Sequence, residues 1–102
     1  MVIKEIIDDK MHYMDLLFLA DEQEDMIRRY LEKGIMYVLD DNGVKAECVV
    51  TDEGNRILEI KNIAVKPEYQ GCGYGKALID FLIRRYTGKY SVMQVGTGDS
   101  AL

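Results

Sequence analysis

"LEIKNIAVKPEYQGCGYGKALIDFLIRRY" (58–86) contains a strand, a glycine loop and a helix in succession, and its reading decides the fold. Residues 56–65 form an apolar run that reads as a strand. Pro67 cannot join a sheet ladder and starts a loop. Gly71, Gly73 and Gly75 fall within five residues. Over 72–86, Ala77, Leu78, Phe81, Leu82 and Tyr86 recur at helical spacing, and Thr87 and Gly88 end the helix. Glycines let a backbone approach a phosphate without Cβ interference and curl through positive φ. The helix start adds unsatisfied N–H groups and the positive end of the dipole. Lys76, in the first turn, either adds charge or is a solvated surface lysine.

Two common phosphate loops do not fit. A Walker loop needs G-x-x-x-x-G-K-[ST]. Here three residues separate Gly71 from Gly75, and Ala77 stands where the magnesium-binding hydroxyl is required. A dinucleotide loop needs G-x-G-x-x-G, and the spacing here is Gly71-x-Gly73-x-Gly75.

Working outward, "YSVMQV" (90–95) reads as a strand after the helix. Upstream, "IMYVL" (35–39) and "VKAECVVT" (44–51) flank "DDNG", a strong hairpin signal. With 56–65 they make an antiparallel meander. Met11, Met14, Leu17 and Phe18 mark a first helix, and Met26, Ile27, Tyr30 and Leu31 a second over 21–32. Gly34 reads as that helix's C-terminal stop. Asp21, Glu22, Glu24 and Asp25 fall in its first turns, where the dipole favours negative charge. Residues 2–7 form a first strand. The order β-α-α-β-β-β-α-β predicts an α/β (α+β) fold with a mixed central sheet, since a strand-helix-strand crossover sets adjacent strands parallel.

The chain has 102 residues, enough for one domain spanning 1–102. Net charge is −5, which argues against a general nucleic-acid binder. Charge is uneven, −8 over 1–55 and +3 over 56–102, so the glycine loop lies in the basic half. Cys48 and Cys72 lack a paired metal spacing and read as free thiols in a reducing compartment, and no metal site is expected. No apolar run spans a membrane and no secretory pattern opens the chain, so a cytoplasmic location is expected. His12 is the single histidine, which makes a Ser-His-Asp triad improbable.

Gln70, Gly73 and Gly75 occupy the defined positions of Q/R-x-x-G-x-G/A. The stretch resembles the acetyl-CoA-binding motif of the GNAT family, the Gcn5-related N-acetyltransferases. The preceding strand, the element order and "VGTGDS" (95–100) extend the resemblance over essentially the whole chain. It implies an acyl-CoA N-acyltransferase-like fold and transfer of acetyl from acetyl-CoA to a primary amine of a small molecule or protein. The alternative is a CoA-binding, catalytically weak or regulatory module. By the same resemblance, Ile63, Ala64 and Val65 pair with the pantetheine arm. Gln70, Gly71, Cys72, Gly73, Tyr74, Gly75 and Lys76 hold the pyrophosphate, with Cys72 as a spacer. A backbone N–H near Val65 serves the thioester oxygen. Glu59 is the candidate general base, with a solvent-facing strand glutamate as the competing reading.

The family continues past the fifth strand with a helix and two more strands, and that helix often supplies a tyrosine as general acid. Against this pattern the chain reads as C-terminally shortened, with Asp99 and Ser100 resembling the N-cap of the next helix. An apolar fifth strand then presents an unpaired edge. A truncated sequence, a homodimer covering the edge and a reduced CoA-binding domain are the competing explanations.

Overall fold

The computed structural model describes residues 1–96. The elements are β1 (Val2–Ile6), a 3₁₀ turn (Lys10–Tyr13), α1 (Met14–Leu17), α2 (Glu24–Lys33), β2 (Ile35–Asp40), β3 (Val44–Asp52), β4 (Ile57–Val65), a second 3₁₀ turn (Pro67–Tyr69), α3 (Tyr74–Tyr86) and β5 (Val92–Val95). This is the element order expected. The strands form one sheet in chain order. β1 to β4 pair antiparallel, and β5 lies parallel to β4, so the sheet is mixed.

Helices cover both faces, which is why β2 and most of β3 are continuous apolar runs buried on both sides. Strand alternation sorts the core into two layers. Tyr37, Leu39, Cys48, Val50, Leu58 and Ile60 pack against Leu78, Leu82 and Tyr86 of α3. Met36, Val38 and Val49 pack against Leu17 of α1 and Ile27, Tyr30 and Leu31 of α2. Among the described residues no helix is long and apolar enough to cross a membrane.

Several boundaries differ from the sequence expectation. α2 begins at Glu24, not Asp21, because the Gln23 N–H donates to Asp21 Oδ1 in a turn before the helix. The first helix is a 3₁₀ turn followed by the four-residue α1. α3 begins at Tyr74, since Gly71 and Gly73 adopt φ of 85° and 87° and stay outside it. β5 is shortened to Val92 because the N–H groups of Ser91 and Val92 both donate to Arg56 O. Gly34 follows α2 but is not a left-handed cap, for its backbone is extended at φ −95°. Its requirement is steric: a Cβ there would lie 2.7 Å from both Tyr30 O and Val50 O. Val92 and Val95 of β5 are exposed at the sheet edge. Asp99, Ser100 and the rest of 97–102 lie outside the described residues.

Candidate functional site

The site begins where β4 and β5 part. Their pairing runs from Ile57 and Val92 to Ile60 and Val95, with a last bond from Gly96 N–H to Ile60 O of 2.8 Å. Beyond Ile60, β4 has no neighbour on that side among the described residues. Lys61 is an extra residue in β4, because Val49 pairs with Asn62 while Val50 pairs with Ile60. The register then fixes which backbone groups face the gap. The Lys66 N–H donates to Lys45 O, so by alternation Ala64 pairs its polar groups with Glu47 of β3. Ile63 and Val65 therefore turn theirs away from β3, into the gap. Of the three expected arm-binding residues, two present backbone donors and acceptors; Ala64 contributes its side chain to the wall.

A groove of about 480 Å³ runs along this edge, lined by Ile63, Ala64, Val65, Gln70, Gly75 and Ile79, with Leu19 and Ala20 opposite. That is the size of a small-molecule site, roughly 300–1,000 Å³. The glycine loop closes one end. A Cβ on Gly71 or Gly73 would meet nothing within 4 Å, so their requirement is positive φ and the space beside them stays open. No side chain caps α3, and its first internal bond is from Ala77 N–H to Gly73 O. The N–H groups of Tyr74, Gly75 and Lys76 thus lack helical acceptors and face the loop. This arrangement of donors fits an anionic group carried on an amide-bearing chain.

The side chains of the loop do other work. Gln70 Nε2 donates to Val65 O at 3.3 Å. Cys72 is exposed, and its N–H reaches Tyr69 O at 3.4 Å. Lys76 Nζ pairs with Asp80 one turn along, 2.8 Å away, so its charge is spent on the helix surface. The Tyr74 hydroxyl donates to Asp41 Oδ2 at 2.6 Å, and that bond, with burial second, pushes its pKa up to about 12. Lys45 Nζ sits 4.4 Å over the Tyr69 ring, which meets Tyr74 edge to face. Through these contacts the β2–β3 hairpin buttresses the glycine loop.

Glu59 lies lower in the fork. Lys61 Nζ is 2.5 Å from Oε2, and Gln94 Nε2 donates to Oε1 at 2.6 Å. Partial burial pushes the Glu59 carboxyl up, but the Lys61 and Gln94 hydrogen bonds and the Lys61 charge outweigh it and hold it below the usual carboxylate range. Glu59 is thus an ionised, anchored carboxylate. Gly96 lies against it so closely that a Cβ would collide with its carboxyl group.

Sequence reasoning missed the polar groups under α1 and α2. Asn62 Nδ2 donates to Leu17 O at 3.0 Å and to the Tyr30 hydroxyl at 2.9 Å, and Tyr30 donates to Asp21 Oδ2 at 3.1 Å. Glu47 is wholly buried, and burial pushes its carboxyl up to about 8. The available signal was a charged or polar residue inside an apolar run, "AECVV" and "KNIAV". His12, on the first 3₁₀ turn, is exposed and is not among the residues lining the groove.

The family model described as an acetyltransferase (GNAT) domain matches residues 32–101. The chain belongs to the GNAT family. An N-acetyltransferase of uncharacterised role from Bacillus subtilis (strain 168), YvbK, is 33% identical over 90 residues, covering 86% of this chain and 58% of YvbK. The chain therefore spans well under two thirds of that curated relative. An IAA acetyltransferase from Bacillus cereus ATCC 14579 superposes with a TM-score of 0.86 at 35% identity, over 98% of this chain and 67% of that one. A GNAT acetyltransferase from Elizabethkingia anophelis, crystallised with acetyl-CoA bound, gives 0.88 at 31% identity over the same shares. The fold is thus that of GNAT acyltransferases.

Proposed function

We propose that this chain binds acetyl-CoA in the groove between β4, the glycine loop and α1, and transfers the acetyl group to a primary amine. The observation that carries this reading is the meeting of two backbone donor sets in one groove: the open edge at Ile63 and Val65, and the uncapped start of α3. The acetyl-CoA in the Elizabethkingia relative supports it. Ile63 and Val65 pair with the amide-bearing arm. The N–H groups of Tyr74, Gly75 and Lys76 hold the pyrophosphate, with Gly71, Cys72 and Gly73 shaping the loop. Gln70 releases Val65 O as the arm arrives.

When bound, acetyl-CoA supplies the activated thioester. A backbone N–H of the open β4 edge near Val65 donates to its oxygen as negative charge develops there. Glu59, ionised at neutral pH, receives through water the proton that the attacking amine loses. A second reading, a CoA-binding module with weak turnover, is favoured by one observation: both Glu59 oxygens are already engaged. Homodimerisation through the exposed β5 edge belongs to the proposal and is tested by mass in solution, where a monomer would remove it.

A native-state ligand raises the melting temperature by mass action, with about 3 kcal/mol gained at a hundredfold excess over Kd. Acetyl-CoA and desulfo-CoA are both expected to raise it, and thiol release with an amine panel then reports transfer. No shift at millimolar cofactor overturns both readings. A shift without thiol release selects the second. Unchanged turnover in Glu59→Gln removes Glu59 as the base.

A further inference from the structure

Lys61 is the extra residue of β4, placed where β4 and β5 part. A bulge re-aims a side chain, and bulges gather beside reacting sites. Here the Lys61 side chain lies back across Glu59. Glu59 pairs with Thr51 of β3, Leu58 pairs with Asp52, and the Glu53 N–H donates to Ile57 O at 2.9 Å. Glu53 therefore sits on the far side of Glu59 from the gap, and Lys61 on the near side. Yet Lys61 Nζ is 2.5 Å from Glu59 Oε2 and 3.8 Å from Glu53 Oε2. Under this strap the Glu59 side chain is 12% exposed, against 28% for Lys61 and 35% for Glu53.

We propose that Lys61 is a positioning residue for the transfer: it covers Glu59 at rest, then moves its ammonium onto Glu53 and frees Glu59 Oε2 for the proton of the attacking amine. This rests on the reading of Glu59 as the base. A partly buried ammonium leaves one carboxylate readily only where another takes it, because a desolvated charge without a partner is costly. Glu53 is that second partner. Thr51 Oγ1 donates to Glu53 Oε2 at 2.5 Å and holds it in place. The lysine stem is flexible enough for so short a swing. Gln94 Nε2 keeps its bond to Glu59 Oε1, so the carboxylate stays aimed while its other oxygen opens. The step is a proton transfer and it balances. Glu59, Lys61 and Glu53 together carry one net negative charge at rest, and none once Glu59 holds the proton that the acceptor ammonium gives up through water. Glu59 returns that proton to solvent as Lys61 swings back.

The charges around Glu59 are few. Burial acts to raise its carboxyl, and the Lys61 and Gln94 hydrogen bonds with the Lys61 charge outweigh it. Among the described residues no charge on α1, α2 or α3 contributes. Glu53 acts through Lys61, by sharing it.

The test joins a carbon NMR pH titration of the full chain, labelled at glutamate carboxyl carbons, to turnover. Lys61→Met should raise the Glu59 midpoint by about one unit or more, as loss of an opposite charge at contact does. Lys61→Arg should keep it low. Glu59→Gln imitates the protonated carboxyl, so Lys61 should pass to Glu53 and lower the Glu53 midpoint. That drop should vanish when Lys61→Met is added. An unmoved Glu59 midpoint, or a Glu53 drop that persists without Lys61, overturns the proposal. Turnover is read as thiol release from acetyl-CoA with n-butylamine, spermidine and a lysine peptide. Glu53→Gln should lower kcat about fivefold or more, and adding it to Lys61→Met should cost nothing further. Full kcat in Glu53→Gln also overturns the proposal. No thiol release by the wild type, or unchanged turnover in Glu59→Gln, removes the base reading and the proposal with it. The titration tells that failure from a failure of the strap alone.

Discussion

The two faces of the sheet are built by different means. On the α3 face, the groove offers backbone: the open edge of β4, the glycine loop and the bare start of a helix. On the α1–α2 face, the polar groups are side chains, Glu47, Asn62 and Tyr30, held inside an apolar layer. Backbone donors are available wherever the chain curls correctly, so that face depends on φ angles and spacing. The other depends on which side chains tertiary packing seals from water. The first is expected to tolerate side-chain changes outside the glycines, and the second to be sensitive to single atoms.

The largest effect should come from Glu47. An unfolded glutamate titrates near 4.3, and the folded one near 8. Between these values the native state binds the extra proton, so stability falls as pH rises through the window and the loss is complete above about pH 8. Urea unfolding from about pH 5 to about pH 8.5 should lose several kcal/mol in the wild type, and that slope should vanish in Glu47→Gln. Parallel profiles would mean that water reaches the carboxyl and that the contrast between the faces is softer. Next, Asn62→Ala strands Leu17 O and the Tyr30 hydroxyl and should cost about 2–4 kcal/mol. The melting shift with acetyl-CoA should survive it, and its loss would show that the two faces are coupled.

On the α3 face, Gly73→Val forces a β-branched residue to a φ of 87°. Denaturant unfolding should show a loss of about 1–2 kcal/mol. The acetyl-CoA shift should shrink, and Gly73→Asn, which tolerates that conformation, should restore part of it. The smallest effect should come from Tyr74→Phe, which removes one hydroxyl bond to Asp41 and should cost about 0.5–1.5 kcal/mol. Calorimetry should find cofactor affinity nearly unchanged. A large loss would mean that the hairpin shapes the loop rather than only steadying it.

This contrast also explains what was legible in the sequence. Glycine spacing, the strand before it and the order of elements are local signals, and they placed the mixed sheet, β4 and α3. Gly34 is legible as the stop of α2, and α2 does end there, but the steric constraint on it comes from Val50 O, which only the folded sheet brings near. The two readings of the Lys76 side chain, loop charge or surface lysine, look alike in the sequence, and its i,i+4 pair with Asp80 is seen only on the folded helix. Glu47 and Asn62 carry no spacing pattern. Their meaning depends on β3–β4 register, on the extra residue at Lys61, and on helices arriving from another part of the chain. The turn at Asp21 ahead of α2 was likewise hidden, because Asp21 serves that turn and Tyr30 at once.

The bond between Tyr74 and Asp41 joins residues 33 apart in the chain. The glycine loop is therefore steadied only after a distant hairpin has formed and docked, and such long-range closures come slowly. A molecule that recognises the finished loop meets it late on the folding path. It should leave the refolding rate almost untouched and act by slowing unfolding, as interactions absent from the transition state do. The protein's lifetime, more than its rate of formation, would then follow the supply of that molecule.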